Sequence, residues 1–282
     1  MLSDLIHYRF LQDTFLTGII IGIIAPLLGC FIVVRRLSLI ADALSHITLA
    51  GIAVSLFISK TCAPLSNLNP LYIGTGFSLL ASLFIERLRS IYKHYQELAI
   101  PIIMSGGIGI GLIFISLANG FNTDLFNYLF GSVSAVSQTD LYLIIGISIV
   151  VIVTIFLLYK ELFLLSFDEE YARASGLPAK TIHFIFIVLV ALVISVAMRI
   201  VGILLVSALM TLPVAASIRI SRGFKQTILF SIIFGEIAVI GGLTSAYELN
   251  LAPGGAIVVI SILLLFVSMM IKRLRGASAI SK

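Results

Sequence analysis

The chain has no tryptophan, only two cysteines and few charges: Asp, Glu, Lys and Arg together make up 11% of its 282 residues. A soluble chain carries about a quarter. With 60% hydrophobic residues there is too little polar surface to cover a water-soluble body, which excludes a soluble enzyme, a disordered chain and a nucleic-acid binder. Two cysteines, Cys30 and Cys62, are too few for a disulfide framework or a thiolate metal cluster. Cys30 lies within an apolar run and reads as a small buried hydrophobe. No GxxxxGK[ST] phosphate loop occurs, and no HExxH metal motif. No cleavable signal is expected, because the first apolar run follows Asp4, Arg9 and Asp13 and is too long for a signal-peptide core.

Long uncharged runs are what the chain does have. A bilayer core needs about 20 apolar residues in helix. Nine segments fit: 14–34, 39–59, 70–85, 98–117, 141–158, 182–198, 200–218, 228–246 and 252–271. The basic residues decide sidedness. Fifteen of the 18 fall in five groups: Arg35 and Arg36; Arg87, Arg89 and Lys93; Lys160, Arg173 and Lys180; Arg219, Arg222 and Lys225; Lys272, Arg273, Arg275 and Lys282. These occupy every second loop, and the intervening loops hold only Arg9, Lys60 and Arg199. Clustered loops and C-terminus in the cytoplasm, with the N-terminus outside, satisfy that bias. A tenth element is the alternative, with residues 4–13 lying flat at the interface as an amphipathic helix. No stretch is polar enough for a separate soluble domain, so residues 1–282 form a single transmembrane domain, all-α and polytopic.

One polar excursion stands out on the cytoplasmic side, between Tyr159 and Lys180. Ser166 or Asp168 can cap a helix there, with Glu169 and Glu170 in its first turn and Gly176 and Pro178 ending it. A short helix between two spans follows, either an ordinary loop helix or a contact element.

Ionisable residues inside spans are the candidates for chemistry. A carboxylate at the bilayer centre costs roughly 2.5–3.5 kcal/mol on insertion scales, so such groups usually face a cavity or pathway. Asp42 and His46 are one helical turn apart on one face. Together they suit a borderline divalent cation, or Asp42 pairs with nearby Arg36. Glu236 has no charged neighbour for about ten residues on either side, and is either a hydrogen-bonded core acid or part of a polar route. His183, close to Lys180, reads as structural; Glu248 reads as solvated in an outer loop. Gly18, Gly22 and the glycines from Gly106 to Gly111 read as sites of close helix approach. Pro213 within a span and Pro253-Gly254-Gly255 at the start of the last mark expected helix breaks, tolerated where backbone lines a cavity.

Four stretches, in order, resemble the permeases of the ABC-type zinc/manganese/iron uptake family, the ABC-3 family. Arg35-Arg36-Leu37-Ser38-Leu39-Ile40-Ala41-Asp42-Ala43-Leu44-Ser45-His46 is similar to its RRMSLxGDALSHA stretch. Residues 130–137 are similar to FGxxLAVS, and 167–178 to FDxxxAxxxGxP. Residues 202–216 are similar to GxLLVxALLxxPAAxA. Ile47 departs from the family's Ala, and Leu251 stands where an Asp is usual before the final Pro.

The resemblance implies a helical bundle of the type II ABC importer kind in the bacterial plasma membrane, with about nine spans. It implies a homodimer with two cytoplasmic ATP-binding subunits, fed by an extracytoplasmic metal-binding protein. The cargo would be zinc, manganese or iron, with no permanently bound cofactor and ATP hydrolysis left to the partner. Asp42, His46 and Glu236 would then serve the metal, Glu236 matching by location. Phe167, Asp168, Glu169, Ala172, Gly176 and Pro178 would form the coupling helix that docks on the ATPase. The alternative class is a cation-coupled secondary transporter acting alone, which would not need the capped helix and would often show an inverted repeat. An intramembrane metalloprotease would need a ligand set that is absent.

Overall fold

The computed structural model describes residues 7–61, 69–92, 94–118, 123–132 and 136–280. Cys62, Lys93, Lys282 and the middle of the 130–137 stretch lie outside them, as does the start of the expected interfacial helix at residue 4. The described part of that helix, from Arg9, is simply the beginning of the first span.

Among the described residues the regular structure is helical: α1 Arg9–Val34, α2 Ser38–Thr61, α3 Pro70–Ile91, α4 Ala99–Leu117, α5 Thr123–Phe130, α6 Gln138–Leu157, α7 Tyr159–Phe167, α8 Glu169–Ala174, α9 Ala179–Val201, α10 Ile203–Ile218, α11 Phe224–Leu249 and α12 Pro253–Ile280. Eight of these are long and apolar enough to cross a bilayer: α1 to α4, α6, α9, α11 and α12. Each of the nine expected segments has a helix. The ninth, α10, has 16 residues and rises about 24 Å, short of a core about 30 Å thick. It still runs the same way as a span would. Leu205 near its start lies against Gly254 at the head of α12, and the Met210 carbonyl lies against Gly29 near the end of α1.

The helix break is not where proline suggests it. α10 continues through Pro213, and α9 runs past Arg199 to Val201. The break falls at Gly202, whose φ of 85° lies in the region open to glycine. Gly131, with φ 80°, packs into the same junction: a Cβ there would meet the Ile200 carbonyl oxygen at 2.0 Å, and one on Gly202 would meet the Leu129 oxygen at 2.5 Å. Two chain crossings share one point because neither residue has a side chain. Elsewhere the small residues act as expected. Gly18 and Gly22 admit α11, while Gly107 and Gly111 admit Ile47 and Ala50 of α2. Gly106 and Gly109 face open space.

The two ends of the bundle differ in chemistry. At one end meet Arg35, Glu86, Arg89, Glu169 and His183, and an aromatic cluster joins Phe31 of α1, Tyr159, Phe163 and Phe167 of α7, Phe186 of α9 and Phe224 of α11. Four of the five basic groups thus converge at one end. The fifth follows because α12 returns from α11 after three residues. At the opposite end Arg199 donates to Asp140, to Asn69 Oδ1 at 3.1 Å and to the Tyr128 hydroxyl at 3.2 Å, while Lys60 donates to the Ala118 carbonyl. These two basic residues sit where the inside-positive rule leaves them.

Candidate functional site

α2 presents its small and apolar face to its neighbours: Ile47 and Ala50 to α4, Gly51 to Gly74 and Phe77 of α3. Asp42, His46 and Leu49 fall on the remaining face and stay half-exposed in the isolated chain. Ser45 and Thr48 do not compete for that face, since each hydroxyl donates back to its own helix, to Ala41 at 2.8 Å and Leu44 at 2.7 Å. Asp42 and His46 lie close enough to interact electrostatically. No ion pair joins Asp42 to Arg36 among the described residues, although Arg36 has the left-handed φ of 56° that turns the chain from α1 into α2.

Glu236 stands on α11 at its tightest contact with α1. Gly22 and Pro26 of α1 face Gly235, Glu236 and Val239. Glu236 is half-buried, and its Oε1 atom is buried without a hydrogen-bond partner, so that oxygen is desolvated with nothing to compensate it. Asp42 and His46 stand on α2 and Glu236 on α11, and α10 packs on both of these helices. Among the described residues no three His, Cys, Asp or Glu side chains gather closely enough to hold a metal. The chain therefore presents a two-residue pair and a lone acid rather than one closed cage. Cys30 lies below Glu236 on the same interface, 3.0 Å from the Ser231 hydroxyl, as a buried packing residue.

The cytoplasmic excursion is two short helices, not one. Asp168 caps the second, accepting from the Tyr171 amide at 2.8 Å, while Ser166 donates back to Leu162. Glu169 and Arg173 pair one turn apart at 2.5 Å. Gly176, with φ 81°, ends α8, and the Leu177 amide reaches back to the Ala172 carbonyl at 3.1 Å. Ala172 is fully buried against the bundle, whereas Phe167 and Tyr171 are each 59% exposed. The outward face of this element is thus Phe167, Glu170, Tyr171 and Ala174, with Gly176 and Pro178 exposed at its exit. Ala172 anchors it. Phe167 and Phe163 also meet Phe224, the first residue of α11, edge to face, with ring centroids 5.7 and 5.4 Å apart. An aromatic contact therefore links α7, which leads into α8, to the helix carrying Glu236.

Two polar clusters escape the sequence. His183 is buried, with Nε2 bonded to Arg89 and 3.6 Å from Glu86. Arg35 stacks over Phe186 at 5.7 Å, and burial pushes its guanidinium down to about 10, still charged at neutral pH. At the outer end Asp140 is 2% exposed and ion-paired to Arg199. Its signal was local: Ser137 and Asp140 form a capping box ahead of an apolar run, with the Ser137 amide 3.0 Å from Asp140. Glu248 ends α11 fully exposed, and the loop to α12 is only Asn250, Leu251 and Ala252.

Residues 7–272 match the model of the ABC 3 transport family. The manganese import system permease protein ScaB of Streptococcus gordonii is 35% identical, over 96% of this chain and 94% of that protein. The manganese transport system membrane protein MntC of Listeria monocytogenes is 34% identical over 98% of this chain and 95% of its own. Among solved structures, PsaBC from Streptococcus pneumoniae in complex with Fab superposes with a TM-score of 0.81 at 33% identity, covering 95% of both chains. Four motifs in order, nine helical segments of alternating direction and these likenesses agree: the chain is a multi-pass bacterial membrane permease belonging to the ABC 3 transport family.

Proposed function

We propose that this chain forms the membrane pathway of an ATP-driven importer of a divalent first-row cation, with manganese the leading cargo. Two copies would pair, two ATP-binding subunits would dock on the cytoplasmic face, and an extracytoplasmic metal-binding protein would deliver the ion. The observation that carries the reading is the half-buried Glu236 carboxylate, whose Oε1 is buried without a hydrogen-bond partner against α1 in an apolar stretch of helix. A passing cation offsets the cost of such a group, as protonation does between passages. Asp42 and His46 add one oxygen and one nitrogen ligand at one turn's spacing on the half-exposed face of α2. An open, incomplete ligand set suits transport, since a closed cage of four ligands holds metal as a structural site does. The names of the relatives favour manganese, and the ligand types accept zinc and ferrous iron as well.

α8 supplies the docking element of this reading. Its outward residues would fill a groove on the ATPase, and Phe163 and Phe167 would pass the push to Phe224 and so to α11. The test is uptake of radiolabelled manganese at limiting concentration by the complete complex in a strain lacking its own importers. Asp42→Asn, His46→Ala and Glu236→Gln should each insert normally and lose uptake, with zinc competing. Wild-type uptake by all three would move the route elsewhere. Uptake that persists without the ATPase would instead indicate a cation-coupled carrier.

A further inference from the structure

We propose that the cleft between the cytoplasmic ends of α3 and α9 binds the headgroup of an anionic phospholipid. Two cavities adjoin there and share Glu86, Ser90 and Lys180. The outer one, about 390 Å³, is open and mostly apolar, lined by Leu83, Phe184, Thr181 and Arg87 besides the shared three. The inner one, about 370 Å³, is polar, reaching Arg89, Glu169, Arg173 and His183 beneath α8. A polar chamber opening sideways through an apolar mouth, at the depth where span gives way to cytoplasm, has the shape of a headgroup with its acyl chain.

The charges select an anion. Glu169 is paired with Arg173 at 2.5 Å, and Glu86 lies 3.6 Å from His183 beside Arg89. Arg87 and Lys180 add two cations exposed at the mouth, neither within ion-pair distance of an acid among the described residues, with Lys180 near enough to Glu86 to act on its charge, so the cleft carries more basic than acidic groups. α9 begins at this point with no side-chain cap. The Ala179 and Ile182 amides donate to the Leu177 and Pro178 carbonyls, which leaves the Lys180 and Thr181 amides of the first turn as donors for an anion. His183 lines the inner chamber at 6% exposure with Nδ1 lacking a partner. Basic pockets between spans on the cytoplasmic side are where anionic headgroups lodge. Leu83 and neighbouring Phe84, each more than half exposed, continue the apolar surface into the bilayer for the acyl chain. Because the inner chamber underlies α8, a bound lipid would buttress the docking element. The proposal requires only the bilayer placement and does not depend on which ion is carried.

The full chain, purified with its ATPase partner in detergent, should retain phosphatidylglycerol over phosphatidylcholine of the same acyl length by native mass spectrometry. The double variant Arg87→Gln/Lys180→Gln, both side chains being exposed, should keep its unfolding temperature and retain phosphatidylglycerol about tenfold or more weakly. A control at the same end, Arg222→Gln/Lys225→Gln, should retain it as the parent does. Equal retention of the two lipids, or no change in the first variant, overturns the proposal. Displacement of phosphatidylglycerol by millimolar inorganic phosphate would also overturn it, showing a site for free anions; persistence of the lipid under phosphate supports it.

Discussion

Gly22 of α1 sits against the Glu236 carboxylate of α11: a methyl group built at position 22 would lie 2.7 Å from Oε1. The absent side chain thus sets the position of the acid. Gly22→Ala gains helix propensity of about 1 kcal/mol, so the protein should still accumulate in the membrane. The carboxylate must shift, and uptake at limiting metal should fall on the order of fivefold, the equivalent of about 1 kcal/mol. Unchanged uptake would show that the location of Glu236 is not used.

Ala172 and Tyr171 are neighbours in sequence with opposite fates. Ala172→Glu buries an unpaired carboxylate and should cost about 3 kcal/mol or more, seen as a lower unfolding temperature of the purified chain. Tyr171→Glu lies on the exposed face and should leave that temperature unchanged while uncoupling ATP hydrolysis from uptake. Loss of stability in both would place Tyr171 in the fold rather than at a docking surface.

Among the described residues three glycines have φ in the left-handed region, and their surroundings rank them. Gly176 has open space around it, so Gly176→Ala should cost only the backbone strain, about 1 kcal/mol. Gly131→Ala and Gly202→Ala add a collision with backbone at 2.0 and 2.5 Å and should be markedly worse. Thermal unfolding of the three variants gives the order directly, and equal effects would contradict the shared crossing at Gly202.

The Arg199–Asp140 pair is nearly dry, with side chains 15% and 2% exposed. Removing one partner leaves the other charge buried. Arg199→Met or Asp140→Leu alone should lose about 3–5 kcal/mol, and the double variant much less. A double-mutant cycle by unfolding tests it; additive losses would mean the pair is not coupled.

Sidedness is open to labelling. Cysteine introduced at Asn250, exposed in the short loop before α12, should react with an impermeant reagent from outside intact cells. Cysteine at Ser90, exposed beside Arg89, should not. Labelling at Ser90 would reverse the topology.

Much of this molecule could be read along the chain. Span length and the placement of Lys and Arg are local quantities, and the bilayer acts on them one segment at a time. The nine segments, the alternation of basic loops and the capped turn at Asp168 followed from that. Pro213 misled because an internal proline can be absorbed within a helix, whereas Gly202 reaches a backbone conformation that side chains disfavour.

The sequence by itself determined that the chain crosses a membrane repeatedly, that its basic residues gather in every second loop, and that Asp42, His46 and Glu236 are ionisable groups in apolar segments. Only the tertiary structure decided their neighbours. It placed Glu236 against Gly22, 214 positions away in sequence number, packed α10 on the helices that carry Asp42, His46 and Glu236, buried Ala172, and joined Asp140 to Arg199. The reason is physical. Insertion depends on the hydrophobicity of each segment alone, but the partner of a buried polar group depends on which helices pack side by side, and that is a property of the whole bundle.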